Sequence, residues 1–259
     1  TALHFNVQAY DDDIINSQDS GSELSVSESI YSDELISKKT EEKEYTEPQD
    51  NGDYEYEIVE SDTYDGDYQY ELNSDGKTIT LTLYIGEGGE IEIPSEVDGH
   101  KVTALNNTFN SNKTITKVVI PKGIETIGYR AFYQCSNLEQ INIPDGCTTI
   151  GSWAFAYSQI EEMIIPDSVT EMSSYVFFLC KSLKRVKMPD GIEQIAGSMF
   201  WYDYELEEVE LPSKVKVIGY EAFEYCSKIR EIELPETVEE LKDEAFQECT
   251  NIEKIVAGD

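Results

Sequence analysis

The chain has 259 residues, 39% of them apolar, and carries 53 Asp and Glu against 19 Lys and Arg for a formal net charge of −34. Such a charge repels the phosphates of nucleic acids and of anionic lipid headgroups, so neither is a default partner, and its main effect is solubility. No apolar run approaches the roughly 18 residues that a bilayer span needs, so no membrane insertion is expected of these residues.

In chain order, residues 1–9 come first, with Val7 and Ala9 at −3 and −1 of a signal-peptidase pattern and an acidic start at Tyr10. They read as a signal-peptide remnant and a sign of export, or equally as an arbitrary boundary. Residues 10–66 form an acidic tail: residues 1–60 hold 17 acids and 3 Lys. Their few apolar residues keep no sustained period, so burial cannot offset ordering entropy, and a disordered spacer is expected. Residues 30–39 could form a helix against a partner.

Residues 67–105 are read as an N-terminal β cap and a first, atypical repeat. Alternation in Tyr68-Gln69-Tyr70-Glu71-Leu72 pauses at Asn73-Ser74-Asp75-Gly76 and resumes in Thr78-Ile79-Thr80-Leu81-Thr82-Leu83-Tyr84. That is a β-hairpin pattern around an Asp-Gly turn. A calcium loop over Glu71 to Gly76 is the weaker reading, because Thr82 stands where a bidentate Glu is needed and the flanks are strand-like. A second turn, Gly86-Glu87-Gly88-Gly89, leads into Glu90-Ile91-Glu92-Ile93-Pro94.

Residues 106–259 repeat. Proline falls at 94, 121, 144, 166, 189, 212 and 235, with steps of 27, 23, 22, 23, 23 and 23. Phenylalanine falls at 109, 132, 155, 177, 200, 223 and 246, with steps of 23, 23, 22, 23, 23 and 23. Both markers carry the same one-residue deletion. The unit reads Leu138-x-x-Ile141-x-Ile143-Pro144-x-x-Cys147-x-x-Ile150-Gly151-x-x-Ala154-Phe155. A period of this length means a solenoid, in which each unit covers its apolar face only by stacking on neighbours. The Leu-x-x-Ile-x-Ile stretch is a short strand that proline ends, paired in parallel one repeat away at about 4.8 Å in a sheet about seven strands wide. The phenylalanines are expected to line the opposite wall.

This unit resembles the bacterial leucine-rich repeat of BspA or Treponema type, Leu-x-x-Ile-x-Ile-Pro-x-x-Val-x-x-Ile-Gly-x-x-Ala-Phe-x-x-Cys, over about residues 67–259. Ile91 to Val102, with its longer Asp98-Gly99 insertion, is similar to that family's first unit. The resemblance implies a β-rich leucine-rich-repeat solenoid with one parallel strand per ~23-residue repeat and little regular helix. It also implies surface exposure, adhesion, and contact with host, matrix or neighbouring-cell proteins. Val176-Phe177 and Met199-Phe200 depart from Ala-Phe, while Ser173, Ala196 and Lys242 replace the repeat glycine. The unit in progress at Asp259 reads either as a truncation or as a degenerate strand, Ile252 to Val256, covering the ladder's edge.

Cys135, Cys180, Cys226 and Cys249 share one turn column with Asn112, Ser158 and Asp203, and Cys147 sits at a core position. The two histidines, His4 and His100, lie away from that column, so neither cysteine catalysis nor a mixed Cys/His metal site has its partners. Buried structural thiols are expected. At outward strand positions Lys184, Arg185 and Lys187 form a basic stripe between acidic ones, with Arg185 in register between Glu162 and Glu208. Cross-strand ion pairs explain it, and so would grip on an acidic partner. After the repeat phenylalanine come Tyr133, Tyr157, Phe178, Trp201, Tyr202, Tyr204 and Tyr225, aromatics of the kind enriched at interface hot spots. They are candidates for protein contact, or they cover the solenoid's edge. The sequence thus points to a secreted or cell-surface protein-binding scaffold without catalysis, metal or cofactor. A passive stalk, or an accessory repeat region of a larger surface protein, is the alternative.

Overall fold

The computed structural model describes residues 64–257. The expected signal remnant, His4 and the tail up to residue 63 lie outside them. Every regular element among the described residues is a β-strand.

The cap begins with β1 (Tyr64–Asp65), antiparallel to β2 (Tyr68–Leu72), which is antiparallel in turn to β3 (Thr78–Tyr84). Asp75 closes the turn: its Oδ1 accepts the amides of Lys77 and Thr78 at 2.8 and 2.9 Å. β4 (Gly89–Glu92) starts the repeats, followed by β5 (Glu96–Val97) and β6 (His100–Leu105). Asp98 and Gly99, at φ 51° and 78°, form the two-residue turn that joins β5 to β6. A right-twisted hairpin favours positive φ at both central positions. β6 pairs in parallel with β3, so the cap continues the solenoid's own ladder and covers its first edge.

From β7 to β18 each turn of the solenoid contributes a front strand and a two-residue back strand, the paired ones all parallel. The front strands after β4 are β7 (Ile115–Val119), β9 (Gln140–Ile141), β11 (Glu162–Ile164), β13 (Arg185–Lys187), β15 (Glu208–Glu210), β17 (Glu231–Leu234) and β19 (Lys254–Ala257). The back strands after β6 are β8 (Thr126–Ile127), β10 (Thr149–Ile150), β12 (Glu171–Met172), β14 (Gln194–Ile195), β16 (Val217–Ile218) and β18 (Glu240–Leu241). Between them lies the core. The repeat phenylalanines stack in one row from Phe109 to Phe246, with neighbouring centroids 5.0 to 5.7 Å apart and ring planes within 12°.

The single front sheet read from the repeat is instead three segments, β4-β7-β9, β11-β13-β15 and β17-β19. The first gap lies at the one-residue deletion. At the second, the 23-residue repeat puts Glu208 and Glu210 in the same columns as Glu231 and Glu233, and like charges on facing strands weaken pairing. The back ladder, which sequence did not foretell, breaks between β12 and β14. In that column a Cβ on Gly151 would lie 2.7 Å from the Gly128 backbone, and one on Gly219 would lie 2.6 Å from the Gly197 amide. Ser173 and Ala196 are the adjacent pair in which both positions carry a Cβ at this gap.

The wall of the phenylalanines is held backbone to backbone. The amides of Phe109, Phe132, Phe155, Phe177, Phe200 and Phe223 each donate to a carbonyl one repeat on, at 2.8 to 3.0 Å. Two non-glycine residues per repeat, from Asn107 and Ser111 to Glu244 and Glu248, adopt φ of 50° to 64°. Left-handed geometry in these turns aims amides such as those of Gln134, Leu179 and Tyr225 along the stack, where each bonds the next repeat. The left-handed region costs an L-residue about 1–2 kcal/mol, and the inter-repeat bonds offset it.

Candidate functional site

The turn column after the phenylalanines holds the cysteines. Cys135, Cys180, Cys226 and Cys249 donate through Sγ to the carbonyls of Phe109, Phe155, Phe200 and Phe223 at 3.1, 3.2, 3.1 and 2.9 Å. All five thiols are free and buried. Burial pushes Cys135 and Cys249 up to about 12, and Cys180, Cys226 and Cys147 rise for the same reason. A thiol held protonated is a poor nucleophile and metal ligand. Its chemistry here is to satisfy a carbonyl between repeats. Ser158 and Asp203 fill the same column: Ser158 Oγ lies 3.5 Å from Cys180 Sγ, and Asp203 Oδ1 accepts the Cys180 amide at 2.7 Å. Burial raises the Asp203 carboxyl well above its ordinary range, against the pull of that amide. His100 belongs to the cap, with Nδ1 3.2 Å from the Lys77 carbonyl oxygen.

The basic stripe is matched by acids. β13 lies in register with β11 and β15, so Arg185 faces Glu162 on one side and Glu208 on the other. Arg185 pairs with Glu162, Lys184 with Glu161 at 3.0 Å, and Lys187 with Glu210 at 3.2 Å. Exposed pairs of this kind contribute only a few tenths of a kcal/mol. They do fill the coordination that an acidic partner would need.

The aromatics form a second, smaller core along one edge. Phe178 and Trp201, 2% and 5% exposed, pack with Ala156 and Leu179, so these two candidate contact residues are interior. The reason is a ring of half-buried neighbours: Tyr133, Trp153, Tyr157, Tyr175, Tyr202 and Tyr225. Trp153 stacks on Tyr175 at 4.4 Å and 7°, and Tyr202 on Tyr225 at 4.6 Å and 18°. Tyr204, 38% exposed, extends the row 5.8 Å from Tyr202. At the other end the Arg130 guanidinium lies 4.7 Å over Tyr133. Trp153 and Tyr175 escaped the sequence reading, although both occupy the same repeat position, immediately before Ala154 and Val176. Stacked pairs such as Trp153–Tyr175 and Tyr202–Tyr225 alternate with edge-on contacts of Tyr157 and Tyr202 on Phe178, so the rings pack chiefly on one another.

A cleft of about 800 Å³ opens on the front face at the first gap. Ordinary turns run Cys135-Ser136-Asn137-Leu138, whereas the short one runs Ser158-Gln159-Ile160. The amides of Leu138, Leu183, Leu206, Ile229 and Ile252 close their turns onto the carbonyls of Cys135, Cys180, Asp203, Cys226 and Cys249. In the short turn Gln159 instead donates to Leu138 O at 3.1 Å. β9 and β11 are left unpaired with each other. Asn142 folds back onto the preceding repeat, its Oδ1 accepting from Ile120 N at 2.8 Å and its Nδ2 donating to Ile120 O at 2.9 Å. Ile164, 72% exposed, stands on the far wall, and Asp145 and Asp167 stand exposed on the rim. The deletion was visible in the sequence; the cleft it opens was not.

Glu221, Glu224 and Glu244 also converge, with carboxylate oxygens within 4.8 Å of one another. No helix among the described residues is long and apolar enough to cross a membrane.

The family model described as BspA type Leucine rich repeat region matches six copies over residues 103–230 and 198–259. Among solved structures, the chain is similar to a leucine rich cell surface protein from Faecalibacterium prausnitzii A2-165, at 33% identity and a TM-score of 0.67, over 75% of this chain and 54% of that one. It thus spans about half the length of that protein. It is also similar to a leucine rich repeat protein of T. pallidum, at 26% identity and a TM-score of 0.51, over 64% of this chain and 90% of that one. No curated protein matches.

Proposed function

The chain belongs to the BspA-type leucine-rich-repeat family, and from that premise we propose that it is a protein-binding scaffold exported to a bacterial surface, where it contacts host, matrix or neighbouring-cell proteins. The observation that carries this reading is the aromatic ridge. Phe178 and Trp201 form its buried footing, and Tyr202, Tyr204 and Tyr225 form its accessible crest. Rings packed on one another by stacked and edge-on contacts are already ordered, so a partner that covers them gains apolar area at small entropic expense. Export is supported by the similarity to a Faecalibacterium protein described as a leucine rich cell surface protein. The thiol column and the phenylalanine row are occupied in holding repeats together, which favours a binding role over a catalytic one.

The test is binding of the immobilised chain to purified extracellular-matrix and cell-surface proteins by surface plasmon resonance, with wild type beside Tyr202→Ser/Tyr204→Ser. A partner lost in the double variant, with circular dichroism unchanged, supports the ridge. Binding that is equal in both, or absent for every protein tried, counts against it.

A further inference from the structure

We propose that the cleft between β9 and β11 is a second docking site, which takes an extended, basic and apolar segment of a protein partner as an added strand. The inference deepens the protein-binding reading and rests on it.

Three observations converge. First, the front ladder is interrupted where a turn is one residue short, so two strands face each other unpaired across about 800 Å³. Unpaired strand edges recruit extended chain through main-chain hydrogen bonds, while alternate side chains supply specificity. Second, the opening presents an apolar anchor. Ile164 occupies an outward strand position that the next three front strands give to Lys187, Glu210 and Glu233, and it is 72% exposed. Nothing in the core requires an isoleucine there. Asn142, whose amide is turned back onto Ile120, leaves the space beside it open. Third, the rim is acidic: Asp145 and Asp167 are exposed, and the one cation in the lining, Lys187, is paired with Glu210 at 3.2 Å. On a chain of net charge −34, that combination selects a strand alternating apolar with Lys or Arg residues. An acidic or uniformly polar strand is rejected.

The experiment uses a fluorescein-labelled hexapeptide of alternating Ile and Lys, its Ile and Glu counterpart, and the full chain. Fluorescence anisotropy is expected to show binding of the Ile and Lys peptide only. Its affinity should fall about tenfold in Ile164→Ser, as expected for loss of one buried apolar contact, and also in Asp145→Asn/Asp167→Asn. Inserting one Asn between Gln159 and Ile160 restores the ordinary turn length and should abolish binding. Both point variants change exposed residues, so they keep the inference testable even if the insertion disturbs folding. Hydrogen exchange at residues 140–143 and 162–165 should slow when the peptide is added. Unchanged affinity in all three variants would mean that the peptide merely adheres to an acidic surface, and would overturn the site, as would absence of binding. Because Tyr202→Ser/Tyr204→Ser leaves the cleft intact, loss of a protein partner there with peptide binding retained would separate the ridge from the cleft.

Discussion

Asp203 accepts the backbone amide of Cys180 at 2.7 Å across one repeat, which places a carboxyl in a column that neighbouring repeats fill with thiols and a serine hydroxyl. Its Oδ2 is buried without a hydrogen-bond partner. Burial raises this carboxyl above the ordinary 3.8, so the folded state holds the proton more tightly than the unfolded chain does. The stability tied to that proton is complete below 3.8 and is lost as pH rises through the higher folded value. Asp203→Asn keeps the acceptor and removes the ionisation. Urea unfolding should show it about 1–3 kcal/mol more stable than wild type at neutral pH, with the gap shrinking in acid. A variant no more stable at neutral pH would mean that the buried carboxyl is fully compensated.

The five thiols should be silent toward a disulfide reagent in the native state and react together on unfolding, since all are buried and free. Their folded values lie above the ordinary 9.0, with Cys135 and Cys249 near 12. Their contribution to stability is therefore present below 9.0 and declines as alkali ionises the unfolded chain's thiols first. A melting temperature that begins to fall near pH 9 is the expected outcome; rapid labelling of native protein would contradict the buried column.

Phe155 stacks between Phe132 and Phe177 with no exposure, whereas Phe246, the last of the row, is half-buried. Phe155→Ala should cost about 3–5 kcal/mol, and Phe246→Ala clearly less, because the latter breaks one stack instead of two. Guanidinium denaturation of both variants measures the difference. Equal losses would indicate that the row is not coupled repeat by repeat.

Glu248 holds φ 58° in a turn whose geometry favours Gly or Asn. Glu248→Asn should raise stability by about 1 kcal/mol, readable as a higher denaturant midpoint. A lower midpoint would show that the glutamate's side chain contributes more than the strain removes.

Glu210 and Glu233 share one outward repeat column on β15 and β17, which do not pair with each other. Glu233→Lys replaces repulsion by a cross-strand pair and should stabilise by about 0.2–1 kcal/mol, an effect that fades in high salt. Persistence of the full effect at 1 M salt would point to some other cause.

Much of this molecule was written in the chain. The spacing of Phe132, Phe155 and Phe177 fixed a stack of rings, because a short period of apolar positions can be buried only by repetition. The register of Arg185 between Glu162 and Glu208 followed from the same arithmetic, since parallel strands one repeat apart bring equivalent positions together. Solenoid architecture, the hairpin cap and the inert thiols were therefore legible from periodicity and residue type.

What only the tertiary structure decided depends on how neighbouring turns meet. Phe178 and Trp201 looked like surface aromatics until Trp153, Tyr175 and Tyr202 closed around them. The deletion at Ser158-Gln159-Ile160 looked neutral until the ladder parted beside it, and the swap of glycine for Ser173 and Ala196 looked minor until the back strands separated there. Sequence determines which residues each repeat offers, because that is a local matter of polarity and period. Whether two repeats seal, gape or bury one another's side chains is set by close packing at sub-ångström tolerance, which exists only once both are in place.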